Sequence, residues 1–145
     1  MDRPPSEKDR LTTSNRVRTV VLVVWILGFL VGTTTHIMDL VAGGVEPYAG
    51  FPAGVRLFWV TLTVLDPLTI MLLALRRRAG IVLALAVILA DIAVNWTVFA
   101  TIGGLAIYGV VNQTLFAIVL VSTASILWRW FRSRREVGTA SSHSG

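Results

Sequence analysis

The stretch VRLFWVTLTVLDPLTIMLLALRRRAGIVLALAVILADIAVNWTVFAT, residues 55–101, decides the architecture. Two apolar runs flank three consecutive arginines, Arg76, Arg77 and Arg78, whose guanidinium groups belong in water. A helix rising about 1.5 Å per residue needs about 20 mostly apolar residues to cross a hydrocarbon core about 30 Å thick. Residues 55–75 and 79–101 therefore each read as one membrane span, made antiparallel by the short arginine turn.

Working outward, residues 19–39 and 106–128 repeat the pattern. A polar-aromatic loop, LVAGGVEPYAGFPAG (residues 40–54), joins spans one and two, and a turn around Gly103 and Gly104 joins spans three and four. Residues 1–18 and 129–145 read as polar or basic tails, expected to be mobile. The predicted fold is all-α: a polytopic membrane protein built as a four-transmembrane-helix bundle. Composition agrees, because 145 residues that are 54% hydrophobic and 14% charged, with mean hydropathy +0.73, carry more apolar side chain than a soluble domain of this size buries. The absence of cysteine excludes disulfides, iron–sulfur clusters and thiolate metal sites. Two histidines, His36 and His143, are too few for a His-rich metal site. The four spans leave no room for a second, soluble catalytic domain.

Charge tests the count independently, since cytoplasmic segments retain Lys and Arg. Arg3, Lys8, Arg10, Arg16 and Arg18 precede span one; Arg76, Arg77 and Arg78 separate spans two and three; Arg129, Arg132, Arg134 and Arg135 follow span four. Arg56, at the outer end of span two, is the one exception among 13 basic residues. This partition requires an even number of spans, with both termini cytoplasmic in a plasma (inner) membrane. A cleaved signal peptide is the rival reading of span one, but its apolar run at 17–31 is long and no A-x-A-type site follows. The basic-aromatic WRWFRSRR segment at 128–135 reads as an anionic-lipid anchor, so membrane lipids and not nucleic acid are the expected partners.

An Asp at the centre of a spanning helix costs roughly 2.5–3.5 kcal/mol on insertion scales and needs a partner or a wet cavity. Asp66 lies midway along span two and Asp91 midway along span three, at matching depth. Two carboxylates in low dielectric resist joint ionisation, so the pair is able to share a proton. Asn95 stands one turn above Asp91, and Thr63 three residues outward of Asp66. Span one adds Thr33, Thr34, Thr35, His36 and Asp39, span four adds Asn112 and Gln113, and Arg56 stands at the rim. The inner halves are aliphatic apart from Ser122, Thr123 and Ser125. Together these residues predict a polar pocket that opens outward and is closed toward the cytoplasm.

Each residue also has a plainer role. Pro67 disfavours helix at Asp66, whose carboxylate would then serve a kink by bonding nearby backbone or Thr groups. Asp91 and Asn95 would lock helices through hydrogen bonds worth on the order of 1 kcal/mol each. His36 would be solvated near the interface, and Arg56 would snorkel or pair with Asp39 or Glu46. Gly28, Gly32 and His36 follow each other at i+4, a GxxxG step that turns His36 toward another helix. Of the five tryptophans, Trp96 fits interfacial anchoring least.

The runs HIMDLVAGG, YAGFPAGVRLFWVTLTVLDPL, LADIAVNW and YGVVNQTLF, with Arg almost replacing Lys, resemble the small, functionally uncharacterised four-span integral membrane proteins of high-GC bacteria. The resemblance covers about residues 33–116 and implies a bacterial plasma membrane but no activity. A weaker similarity is to the EXPERA group of four-span sterol-binding and isomerase proteins, which keep acidic residues in an intramembrane pocket. Asp39, Asp66 and Asp91 are the matching candidates here. No span contains the Glu of that group, so no catalytic role is carried over.

Three functions compete. A binding or transport protein would take a small cationic or amphipathic ligand against Asp66 and Asp91, with His36 and Asn112 at the entrance; four spans are few for transport, so a homo-oligomer is expected. A structural or interaction partner in a membrane complex would use the same residues for packing. An enzyme would use the carboxyls as general acid and base on a lipid-soluble substrate, in an isomerisation needing no cofactor. No nucleophile or metal constellation supports hydrolysis or redox chemistry.

Overall fold

The computed structural model describes the backbone of residues 7–44 and 46–141, and the side chains of residues 8, 11–44 and 46–132. Arg3 and His143 lie outside the described residues, as do the side chains of Arg10, Arg134 and Arg135. Four helices follow in order: α1 (Glu7–Gly43), α2 (Ala53–Ala74), α3 (Arg78–Thr101) and α4 (Ile107–Ser141), with no strand among the described residues. All four are long and apolar enough to cross a membrane, and the chain is a multi-pass four-helix bundle.

Helices α2 and α3 begin and end within two residues of the expected spans. Helices α1 and α4 run on, to 37 and 35 residues, so helix continues through much of what reads as tail. At about 1.5 Å per residue, each is more than 50 Å long, well beyond the hydrocarbon core. The reason is that hydropathy marks where a helix is apolar, not where it ends. Arg, Lys and Glu favour helix in water, and no proline interrupts residues 7–43 or 107–141.

Each helix packs on its sequence neighbour and α4 closes back on α1, while among the described residues the backbones of the diagonal pairs stay further apart. The α1–α4 seam is the least closely packed of the four. Short connections make the helices alternate in direction. At the arginine end, the N–H groups of Arg76 and Arg77 turn back to the carbonyls of Leu73 and Leu72 (2.8 and 2.9 Å), with Arg76 in the left-handed region at φ 52°. This is a Schellman-type stop with arginine where glycine is usual. Two residues into α3, Gly80 packs on the end of α2, where a Cβ would lie 2.8 Å from the Leu73 nitrogen. The guanidinium groups of Arg76 and Arg78 lie 4.6 and 5.0 Å over the rings of Trp130 and Trp128, tying this turn to α4. Above it, Trp25, Leu73, Ile81, Leu120 and Leu127 are fully buried in the bundle. Trp25 also donates to Thr123 Oγ1 across the α1–α4 seam (2.9 Å).

At the opposite end, the first loop folds inward. The rings of Tyr48 and Phe51 each lie 4.9 Å from that of Trp59. Gly103 and Gly104 turn the third connection at φ 78° and 81°, conformations that glycine adopts without steric cost. The outer face of every helix is lined with exposed Val, Leu and Ile, as lipid contact requires.

Candidate functional site

One asparagine organises the polar interior. Asn95 Oδ1 accepts from Trp59 Nε1 (2.8 Å), and its Nδ2 donates both to Asp91 Oδ1 (2.9 Å) and to Gln113 Oε1 (2.7 Å). Trp59 is only a donor, so it fixes which way the amide points. Helices α2, α3 and α4 thereby meet at one side chain. Above this level, Tyr48 stacks on Trp59 and donates its hydroxyl to Asp39 Oδ2 (3.2 Å), so the loop is linked to the buried network. Burial, reinforced by the Asp39 carboxylate, holds the Tyr48 phenol above the usual tyrosine range.

Beside the network lies a cavity of about 840 Å³. Its flanks are α1, from Gly28 to Asp39, and α4, and its back is formed by Asp66 of α2 and by Val87, Ile88, Asp91 and Asn95 of α3. It occupies the loop-end half of the bundle. The Phe116 ring fills the place that a side chain at Gly28 would need, and Trp25 with Thr123 seals α1 to α4 below. The Asp66 carboxylate occupies a similar notch: a Cβ on Gly32 would come within 2.8 Å of Asp66 Oδ2. The two glycines therefore leave room for a ring and for a charge.

Asp66 and Asp91 are both buried, yet both reach this cavity. Asp91 has the Asn95 amide on one oxygen, whereas Asp66 has no hydrogen-bond partner among the described residues. Among the described residues no Lys or Arg lines the cavity, and the one base on its wall is His36, whose Nδ1 is buried without a partner. Asp39 adds a third carboxylate at the exposed end. Among the described residues the wall thus offers carboxyl oxygens in a largely apolar setting, with His36 as the one nitrogen base beside them. No group of three metal-ligating side chains forms among the described residues.

Of the residues singled out by sequence, Asp66, Asp91, Asn95, His36, Asp39 and Asn112 come together on this wall. Thr63 and Arg56 do not. Thr63 donates to the carbonyl of Val60 in its own helix, and Arg56 Nε donates to the carbonyl of Pro47 (3.3 Å) in place of pairing with Asp39 or Glu46. Pro67 does not end the helix at Asp66, since α2 passes through it without interruption. Proline removes only one helical donor, and the surrounding bundle holds the remainder. Nor does Asp66 bond to neighbouring backbone or threonine.

Two members of this network, Trp59 and Gln113, are not among the site residues that the sequence singles out. The signal is present for Gln113, which follows Asn112 and lies three residues before Phe116 on α4, the helix that packs on the one carrying Asn95. It was not available for Trp59, whose partner lies 36 residues away. Trp96, the poorest fit to anchoring, donates to Thr114 Oγ1 (3.0 Å) and links α3 to α4. No family model, characterised protein or solved structure matches the chain.

Proposed function

We propose that this protein binds a small, hydrophobic organic cation within the membrane, and that Asp66 and Asp91 are its counter-charges. One observation carries the reading: two buried carboxylates reach a single cavity whose wall, among the described residues, holds no Lys or Arg. Two carboxylates in low dielectric are not both stable as bare anions, so the cavity holds protons when empty and exchanges one for a cation when filled. Phe29 and Phe116, 5.7 Å apart in edge contact, add ring faces that favour such a ligand. His36 and Asn112 stand at the entrance. The partition of basic residues supports a bacterial plasma membrane with both termini cytoplasmic, which turns the cavity outward. The use of Arg almost to the exclusion of Lys supports kinship with the small four-span proteins of high-GC bacteria. Pairing of bundles into a homo-oligomer would supply the further helices that transport needs.

A second reading has its own support. Asn95 joins three helices, as a residue serving only packing would, and on that reading the protein is a structural partner in a membrane complex.

The test uses two ions of matched size and opposite charge, tetraphenylphosphonium and tetraphenylborate, titrated into purified protein in nanodiscs. The expected result is saturable binding of the cation alone, lost in the Asp66→Asn, Asp91→Asn double variant. Equal binding of both ions, or cation binding that survives the double substitution, contradicts the proposal.

A further inference from the structure

We infer that the cavity is loaded sideways: a single-chain hydrophobic ammonium reaches Asp66 and Asp91 from the outer leaflet, through the seam between α1 and α4. The inference rests on the cation-site reading above and adds the route and the ligand class. Four observations carry it. The flanks of the cavity are α1 and α4, the pair with the least contact between them. Its rim residues Val31 and Leu115 are 61% and 57% exposed on the outside of the bundle, where acyl chains lie. The stretch of α1 on its wall, Gly28 to Asp39, spans about 16 Å at the usual helical rise, roughly the depth of one leaflet. Below that depth, Phe116 against Gly28 and Trp25 bonded to Thr123 close the seam.

The rim and the back wall differ in chemistry. An apolar slit offers nothing to a hydrated ion, but it lets an alkyl chain remain in lipid while the head turns inward. Among the described residues, the back wall offers Asp66 without a protein donor and Asp91 with one oxygen unbonded. Charge at the head and hydrocarbon behind it thus match the two parts of the site.

The absence of cysteine makes the seam directly testable. Val31→Cys and Leu115→Cys, joined by a reducible cross-linker, close it. Gly109→Trp narrows the loop-end opening, because a Cβ at Gly109 meets nothing within 4 Å. The readout is the rate at which dodecyltrimethylammonium displaces bound tetraphenylphosphonium in phosphatidylcholine nanodiscs, with tetramethylammonium as the chainless control. Expected is at least a tenfold slower displacement when the seam is closed, full recovery on reduction, and little change in Gly109→Trp. Recovery on reduction excludes misfolding, and the Val31→Trp, Leu115→Trp variant gives the same slowing without a cross-link. Displacement by tetramethylammonium as fast as by the long-chain ion, or slowing by Gly109→Trp alone, overturns lateral loading. Loss of tetraphenylphosphonium binding in the double Asp variant with no effect of seam closure overturns the route and leaves the cation site standing. Retained binding in the double Asp variant removes the cation site itself.

Discussion

Asn95 uses its oxygen and its amide nitrogen on three partners in three directions, and no other residue type of similar size supplies both an acceptor and two donors there. Asn95→Leu leaves Trp59 Nε1, Asp91 Oδ1 and Gln113 without those partners. Interhelical hydrogen bonds in membranes average about 0.6 and reach about 1.7 kcal/mol, so the loss sums to roughly 1–3 kcal/mol. Unfolding in mixed micelles of increasing dodecyl sulfate fraction measures it, and a change below about 0.5 kcal/mol would mean the network contributes little. At this scale the sequence was legible where spacing alone decides. Asp91 and Asn95 are one turn apart in one helix and had to share a face. Asp66 and Asp91 shared a depth because the arginine turn is short. What spacing does not carry is the direction of a long side chain across a bundle, which is why Arg56 and Trp59 were assigned differently from where they lie.

Among the elements, the two turns that set helix spacing rest on unusual backbone. Arg76 holds a left-handed conformation that costs an L-residue roughly 1–2 kcal/mol, partly offset by its ring contact with Trp130. Removing the side chain in two ways separates these effects. Arg76→Ala loses the contact and keeps the strain, whereas Arg76→Gly loses both, so the glycine variant should be the more stable by about 1 kcal/mol in the same micelle titration. At the other end, the first loop is held by Tyr48 on Trp59 and by its bond to Asp39. Folding keeps this phenol neutral beyond its ordinary range, so its contribution is fully present below pH about 10 and is lost as pH rises further. Stability measured from pH 9 to 11.5 should therefore fall more steeply in the native protein than in Tyr48→Phe. Parallel curves would show that the loop cap is not coupled to that proton. Neither turn was fully readable beforehand. Apolar windows located the spans, but a helix that continues into water, as α1 and α4 do, leaves no hydropathy signal at its end.

In the whole molecule, four helices alternate around a bundle that is solid at the arginine end and hollow at the other. The sequence already separated these halves, because aliphatic residues and Thr123 fill one and nearly all the membrane-embedded polar groups fall in the other. The volume and sideways opening of the cavity depend on which helix pair packs least, and no single-chain pattern encodes that. Its chemistry follows from an imbalance: two midplane carboxylates share a wall without Lys or Arg. The most direct test of that imbalance is to count protons released when tetraphenylphosphonium saturates the protein in weakly buffered nanodiscs near pH 6. The cation-for-proton exchange predicts about one proton per cation bound, because the low-dielectric site does not hold two unneutralised charges. Saturable binding of the cation with no proton release would contradict it.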